Sequence, residues 1–385
     1  MRKLKDIMVK ILNPFFTSPI IPDEYFCDRE AESKRLVKLL VNGNNVVLIS
    51  PRRMGKTGLI RHIYASEEIA GRYNTFFVDI LHTTSLRELA FAMSKEVFNT
   101  LKPQGKKILD EFLTMFRSLN LSLDYNPASG LPEFSLHLGD IVRPEATLEE
   151  IFQYLEKSSR PCILAIDEFQ QVREYSDDTN VEALLRSLIQ KTTNCRFIYS
   201  GSSSRIMSDM FTSSKRPFYN SADIMSLERI DRDVYTSFAV SKFSEFGRRI
   251  EPEEVYRVYD MFDGYTYYLQ RVMNEVFSNV AEGGLAEREI IDSSIDLILQ
   301  SNSISYRELL STLKDKQKQV LVAIAKEGSA SEVTSGNFIW KYSLPTASSI
   351  QNALRKLTEC EIVHRNNGTY TVYDKFLALW LKETY

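Results

Sequence analysis

Val46–Tyr64 reads VVLISPRRMGKTGLIRHIY, and the order of residue types in it decides the fold. The apolar run Val46 to Ile49 stops at Ser50, Pro51-Arg52-Arg53-Met54 follows, and Gly55-Lys56-Thr57-Gly58 opens a run of helix formers. Strand, tight loop and helix in that order form a phosphate-binding layout. The strand delivers the chain to a turn whose backbone N–H groups surround an anion, and the helix adds its positive N-terminus. In that layout Lys56 reaches the outer phosphates as a point charge and the Thr57 hydroxyl ligates Mg²⁺. Ser50 to Gly58 are therefore the candidate phosphate contacts. One departure stands out: the motif begins with Ser50 where glycine is usual, and serine asks for a more ordinary backbone angle. A chance GKT at a helix start is the bland alternative, and the strand ahead of it argues against that.

Pro161–Gln170 reads PCILAIDEFQ. Its run from Cys162 to Ile166 predicts a strand buried on both faces, with Asp167 and Glu168 at its C-terminal end. Ligands of open parallel sheets collect outside those ends. An aspartate there holds the Mg²⁺ shell, often through water, and a glutamate beside it takes the proton of an attacking water. Two solvated acids at a strand exit would look the same in isolation; the phosphate loop upstream favours the chemical reading.

With 385 residues the chain is expected to form two or three domains. Its hydrophobic fraction of 43%, charged fraction of 26% and net charge of −3 are those of a globular protein without a bulk charge suited to polyanions. The cysteines Cys27, Cys162, Cys195 and Cys360 are scattered without metal-ligand spacing, so neither zinc nor a disulfide framework is expected. Free thiols suit a reducing compartment, and the cytoplasm is the expected location. The opening MRKLKDIMVKILNPFF is basic, with Lys10 interrupting its apolar part, and reads as a short amphipathic segment rather than a signal peptide. No apolar run approaches the ~18 residues of a membrane span, so no membrane partner is expected.

Further strands are expected near Thr75–Ile80, Arg196–Ser200 and Ala222–Leu227, and helices near Asp28–Asn42, Ser85–Thr100 and Val181–Thr192. This alternation predicts an α/β fold with a parallel sheet covered on both faces. Residues 106–138 read as an insertion: a helical part, ILDEFLTMFRSL, then LSLDYNPASGLPEFSLHL with the alternation and turn cluster of a hairpin. From Asp231 to about Leu299 the pattern is all-helical, with breaks at Asp263-Gly264 and Gly283-Gly284. Residues 300–305 look like a polar linker. Helices at Lys316–Glu327 and Ser348–Thr358, then two short strands around an Asn-Asn-Gly turn, give the winged-helix arrangement. The expected domains are thus a core over 1–230, a helical lid over 231–305 and a winged helix over 306–385.

Taken together, these motifs resemble the archaeal-type ATPase family, a branch of the P-loop ATPases near the STAND and AAA+ groups. The likeness spans nearly the whole chain. EYFCDREAE resembles the family's F-x-G-R-E box, with Phe26, Arg29 and Glu30 matching and Asp28 in place of glycine. PRRMGKT and IDEFQ match its loop and acidic strand, and SGSSSRIMSDMF (Ser200–Phe211) its sensor strand. FDGYTYYLQ (Phe262–Gln270) is similar to its GxPxYL helix with Thr266 for proline, and VYDKFLALWL (Val372–Leu381) to its DPxFxxWL ending with Lys375 for proline. The resemblance implies an AAA+-like five-stranded P-loop core, a helical lid and a C-terminal winged helix. It also implies that Ser202 senses the γ-phosphate or the attacking water, and that residues near Phe26 and Arg29 border the adenine. Arg205 and Arg216 are the candidates for an arginine finger, in cis or from a neighbouring copy in a homo-oligomer; for each, a surface ion pair is the alternative. Arg52 and Arg53 suit partner domains as well as phosphates, and His82 is read as structural.

ATP and Mg²⁺ are the expected ligands. The favoured function is an ATP-hydrolysing molecular switch that couples nucleotide state to domain rearrangement and contact with a protein partner. A DNA-binding ATPase that uses the winged helix, a nucleotide-binding scaffold with little turnover and a small-molecule kinase are the alternatives. From Leu310 to Tyr385 ten basic residues face seven acidic ones, and the expected recognition helix offers only Arg355 and Lys356. Tight DNA binding through about 6–10 phosphates needs a denser basic face. Weak, salt-sensitive DNA contact is therefore expected at most.

Overall fold

In the computed structural model, residues 12–101, 116, 118, 122–125, 132–135, 137–202, 204–366 and 368–385 are described. They form two compact units, Ser18–Ile230 and Asp231–Tyr385, and the described residues of Met1–Thr17 belong to the second.

The first unit is built on five parallel strands: β1 (Val46–Ile49), β2 (Asn74–Asp79), β5 (Cys162–Asp167), β6 (Cys195–Gly201) and β7 (Asp223–Ser226), in the order β2-β5-β6-β1-β7. Alternation along each strand explains the two-sided cover. Val47 and Ile49 point to one core with Cys162, Leu164 and Ile166, while Val46 and Leu48 point to the other with Ile163 and Ala165. The first core is closed by helices α3 (Leu86–Leu101), α4 (Pro144–Lys157), α5 (Val181–Lys191) and α6 (Ser204–Thr212). The second is closed by α1 (Glu30–Val41) and α2 (Lys56–Ala65), through Leu36, Leu40, Leu59, Ile60 and Ile63. This is the expected parallel core. Between α3 and α4 the expected hairpin is present as β3 (Ser122–Tyr125) and β4 (Pro132–Ser135), antiparallel with Ser122 opposite Ser135. The helix expected over ILDEFLTMFRSL lies outside the described residues, apart from Phe116 and Ser118.

The second unit opens with α7 (Arg232–Glu245), α8 (Pro252–Met261), α9 (Thr266–Asn279) and α10 (Arg288–Thr312). It is not purely helical as the sequence suggested: β8 (Arg249–Ile250) pairs in parallel with β9 (Leu285–Ala286). Two-residue strands have no period to read. Phe15, fully buried, packs here with ring centroids 6.1, 5.4 and 5.9 Å from Phe238, Phe243 and Phe277. Asn13 and Asn274 fix the strap by reciprocal side-chain to backbone hydrogen bonds, Asn13 Nδ2 to the Asn274 carbonyl at 2.8 Å and Asn274 Nδ2 to the Phe15 carbonyl at 2.6 Å.

Residues 300–305 are not a linker; they lie inside the 25-residue helix α10. Their polar side chains turn back onto the helix. Ser301 Oγ and Asn302 Nδ2 donate to the Ile298 carbonyl at 2.8 and 3.0 Å, and Ser303 Oγ donates to the Gln300 carbonyl at 2.7 Å. Ile298, Leu299, Tyr306 and Leu310 meanwhile keep one face buried.

α11 (Asp315–Glu327), α12 (Gly336–Lys341), α13 (Ala347–Glu359), the antiparallel pair β10 (Val363–Asn366) and β11 (Thr369–Val372), and α14 (Lys375–Thr384) complete a winged helix. The sequence reading missed the short α12. Phe376, Leu377, Trp380 and Leu381 are buried and Leu379 is half-buried. Phe376 meets Phe262 and Tyr268 edge-on, at 5.1 and 4.9 Å between centroids, and Trp380 lies 5.5 Å from Tyr306. Where the family pattern has proline, the Lys375 N–H donates to the Tyr268 hydroxyl at 3.0 Å and its ammonium pairs with Asp263. A proline could make neither tie.

Candidate nucleotide site

All five parallel strands end at one edge, and β6 lies between β5 and β1. Topology alone therefore brings Ser50–Thr57, Asp167-Glu168 and Ser202 together, from three adjacent strands. Ser50 is buried and adopts no left-handed angle; its N–H reaches the Gly201 carbonyl at 3.3 Å. The left-handed positions of the loop are Arg53 and Gly55, with φ of 69° and 93°. Ser50 thus serves where glycine is usual because the turn places its special angles further on. A Cβ added to Gly55 would meet nothing within 4 Å, so backbone angle, not space, requires glycine there.

Lys56 is buried, and its ammonium donates to the Ser50 and Pro51 carbonyls at 2.9 and 3.3 Å. Burial pushes its pKa down, and the neighbouring Glu168 and Asp167 oppose that. The Thr57 hydroxyl donates to Asp167 Oδ2 at 2.9 Å. Glu168 has a left-handed φ of 55°, uncommon for a side-chain-bearing residue and typical of a constrained functional position. Its Oε2 accepts the Ser202 hydroxyl at 2.7 Å and the Gln170 amide, and Arg52 Nε lies 3.7 Å from its Oε1. Burial would raise the Glu168 pKa, but the Ser202 and Gln170 hydrogen bonds, then Lys56 and Arg52, outweigh it and hold the carboxyl below the usual range. A carboxylate kept ionised beside a half-buried hydroxyl can accept a proton at neutral pH.

Phe26 lies against this loop's helix. Its ring stacks on His62 at 4.0 Å and 6°, and a Cβ at Gly58 would sit 3.8 Å from it. Asp28, where the family pattern has glycine, has φ 56°, and Arg29 has φ 69°. The backbone keeps a glycine-like turn, which aspartate tolerates better than most residues. The buried Arg29 side chain donates to the Glu228 carbonyl and pairs with Glu32 at 2.8 Å, so it braces the box from within. Met54 is buried, Arg53 is half-buried and Pro51 is exposed. Arg205 and His82 are exposed. Arg216 is held by Asp209 at 3.0 Å and Glu182 at 3.6 Å, both shared with Arg173, an ion cluster that matches the alternative weighed for it. His62 and Gln170 were missed by sequence reasoning. His62 lies one turn after Gly58, and Gln170 two residues after Glu168, spacings that place both beside residues already singled out.

The residues fit a Mg²⁺-nucleotide. A hydroxyl and a carboxylate oxygen already converge at 2.9 Å, and hard oxygen donors of this kind suit Mg²⁺. Among the described residues no three His, Cys, Asp or Glu side chains gather to hold a metal by themselves. Mg²⁺ is ordinarily bound by one or two protein oxygens with phosphates and water completing its shell. A cavity of about 390 Å³ in the second unit, lined by Leu310, Lys318, Val322, Lys326, Tyr342 and Tyr385 among others, contains none of these groups.

A family model described as "ATPase domain predominantly from Archaea" matches residues 26–272, and one described as "Probable winged helix domain" matches 304–383. Among solved structures, the chain is similar to a Walker-type ATPase of Pyrococcus abyssi (21% identity, TM-score 0.62, covering 96% of this chain and 99% of that one). It is also similar to the Aeropyrum pernix ORC2 protein in ADPNP and ADP complexes (12%, 0.59, 96% and 95%) and to the Aeropyrum pernix ORC1 protein in complex with DNA (14%, 0.52, 96% and 96%). No curated protein matches the chain by sequence. No helix among the described residues is long and apolar enough to cross a membrane.

Proposed function

Because the chain belongs to the family of ATPase domains found predominantly in Archaea, we propose that its ATPase site drives a molecular switch, in which nucleotide state sets the arrangement of the core (Ser18–Ile230) and the unit that carries lid and winged helix (Asp231–Tyr385) for contact with a protein partner. The observation that carries the hydrolytic part is the meeting of the Thr57–Asp167 and Glu168–Ser202 pairs at one sheet edge. In this reading the loop from Ser50 to Gly58 and the Lys56 ammonium hold the phosphates. Thr57 and Asp167 hold Mg²⁺, which when bound neutralises charge on the phosphates. Glu168 takes the proton of the attacking water, and Ser202 reports the γ-phosphate to β6. Phe26 borders the base, with Arg29 bracing its turn. Arg205, exposed just after the sensor strand, is the finger candidate with a free reach; Arg216 would have to leave Asp209 and Glu182.

DNA binding by the wing is the second reading. The Aeropyrum complex concerns that protein. Here the two exposed cations of α13, Arg355 and Lys356, both pair with Glu359, at 3.9 and 2.7 Å. That favours a protein partner. Free cysteines, three of them buried, support a reducing compartment such as the cytoplasm.

The test is ATP turnover, with and without DNA, and molecular mass in each nucleotide state. Lys56→Ala should abolish nucleotide binding. Glu168→Gln should keep affinity and lose turnover by roughly 10²–10⁴-fold, the scale of a removed general base. Normal turnover in Glu168→Gln would remove it as the base. Tight ATP binding with no wild-type hydrolysis would leave the scaffold reading instead.

A further inference from the structure

We infer that Gln170 is a positioning residue for hydrolysis: its side-chain amide, seated against Gly201, locks Glu168 and Ser202 into one unit and so aims the carboxylate. The inference rests on the reading of Glu168 as the base.

Gln170 is buried at the start of the turn Phe169–Glu174. Its two amide hydrogens serve two groups of the site. Nε2 donates to Glu168 Oε2 and to Ser202 Oγ, the latter at 3.3 Å, while Ser202 itself donates to the same carboxylate oxygen at 2.7 Å. The three side chains close a triangle, and the chemistry fixes the orientation of the amide. An ionised carboxylate only accepts, so the nitrogen must face Glu168.

The oxygen then faces the strand end. Gln170 Oε1 is buried and has no hydrogen-bond partner among the described residues. A Cβ at Gly201 would stand 2.6 Å from it and 2.6 Å from Met207 Cγ. Gly201 is therefore the seat of the amide, and its missing side chain is a steric requirement. Phe169 anchors the other side: it is fully buried, with its ring 4.7 Å from Tyr199 and 5.2 Å from Phe218. The turn cannot slide while that ring stays in the core.

A packing role does not explain this residue. A buried amide with an unpartnered carbonyl is a poor filler, and an apolar side chain of equal size would serve the core better. An amide supplies two donors at once without adding a charge, and both go to groups placed at the hydrolytic step. A misplacement of about 1 Å at a reacting group costs on the order of 10²-fold in rate.

The test uses Gln170→Met in the full chain, which keeps the volume and removes the donors. We expect kcat for ATP to fall about 10- to 100-fold, KM to stay within about twofold and the unfolding midpoint to be no lower than wild type. Added to Glu168→Gln, the substitution should change turnover by less than about twofold, because nothing remains to aim. Wild-type kcat in Gln170→Met while Glu168→Gln is impaired overturns this inference alone. So does a full extra loss in the Glu168→Gln background, or a lowered midpoint with kcat and KM falling together. Normal turnover in Glu168→Gln itself would remove the base reading, and this inference with it.

Discussion

Phe376→Ala tests how the last helix is anchored. The ring is 3% exposed and meets Phe262 and Tyr268 edge-on, at 5.1 and 4.9 Å. Truncating such a phenylalanine removes its transfer free energy and leaves a cavity, typically about 3–5 kcal/mol together. The seat cannot easily collapse, because Tyr268 is also tied through its hydroxyl to the Lys375 N–H and Phe262 is stacked on Tyr268 at 5.7 Å. We therefore expect about 4 kcal/mol. The chain supplies its own reporter: of its two tryptophans, Trp380 is 6% exposed, one turn beyond Phe376, and Trp340 is 85% exposed. In a Trp340→Phe background, the emission change on urea unfolding comes from Trp380. With a slope of about 2 kcal/mol per molar urea, the midpoint should fall by about 2 M. Tyr268→Phe, which removes the hydroxyl that accepts from the Lys375 N–H and donates to Asp374 Oδ1 at 3.5 Å, should cost only about 1–2 kcal/mol. A Phe376→Ala shift below about 0.5 M would refute the claim that this cluster holds helix α14 to the helices α8 and α9.

Thr57→Ala should weaken nucleotide binding more in Mg²⁺ than in EDTA; equal losses, measured by fluorescent-nucleotide titration, would remove Thr57 as a metal ligand. Arg216→Ala should lower the unfolding free energy by about 1–3 kcal/mol, because it strips a cation from the buried Glu182, whereas Arg205→Ala should leave stability unchanged. If Arg205 is a finger supplied by a neighbouring copy, mixing Arg205→Ala with Lys56→Ala protein restores turnover; no rescue, with activity independent of concentration, excludes that arrangement. Burial, then Asp28, pushes the Cys27 thiol up to about 12, so it stays protonated and unreactive at pH 8, while exposed Cys360 reacts. Mass-resolved alkylation at pH 8 checks this, and comparable rates at the two cysteines would contradict it.

The sheet was legible because its strands are short apolar runs between helices with clear period, and its edge followed from where Lys56, Asp167 and Glu168 stand in those runs. What escaped had no local signal. The strands at Arg249–Ile250 and Leu285–Ala286 are too short to alternate. The run from Gln300 to Ser305 looks like linker by composition, yet its hydroxyls and amide bond the helix's own carbonyls. Within the site, Gln170 stood in the quoted IDEFQ, but its partner Gly201 lies on another strand, and only the fold joins them. The departures from the family pattern at Asp28 and Lys375 became intelligible only with backbone angles and donors in view: one keeps a glycine-like φ, the other uses an N–H that proline lacks.

Helix α10 also bears on how such a protein can be inherited. It runs for 25 residues, about 37 Å at 1.5 Å per residue, across position 305, and carries Tyr306 to Trp380. A recombination breakpoint at 305 would sever the helix in mid-turn and part those two rings. A breakpoint near 231 leaves the helix, the Phe262–Tyr268–Phe376 cluster and the Lys375 ties entire. In descent by exchange of gene segments, Asp231–Tyr385 is thus the heritable cassette when the Asn13–Phe15 strap that packs into it is exchanged with it, and chimeras that keep the two together should fold where chimeras split at 305 aggregate.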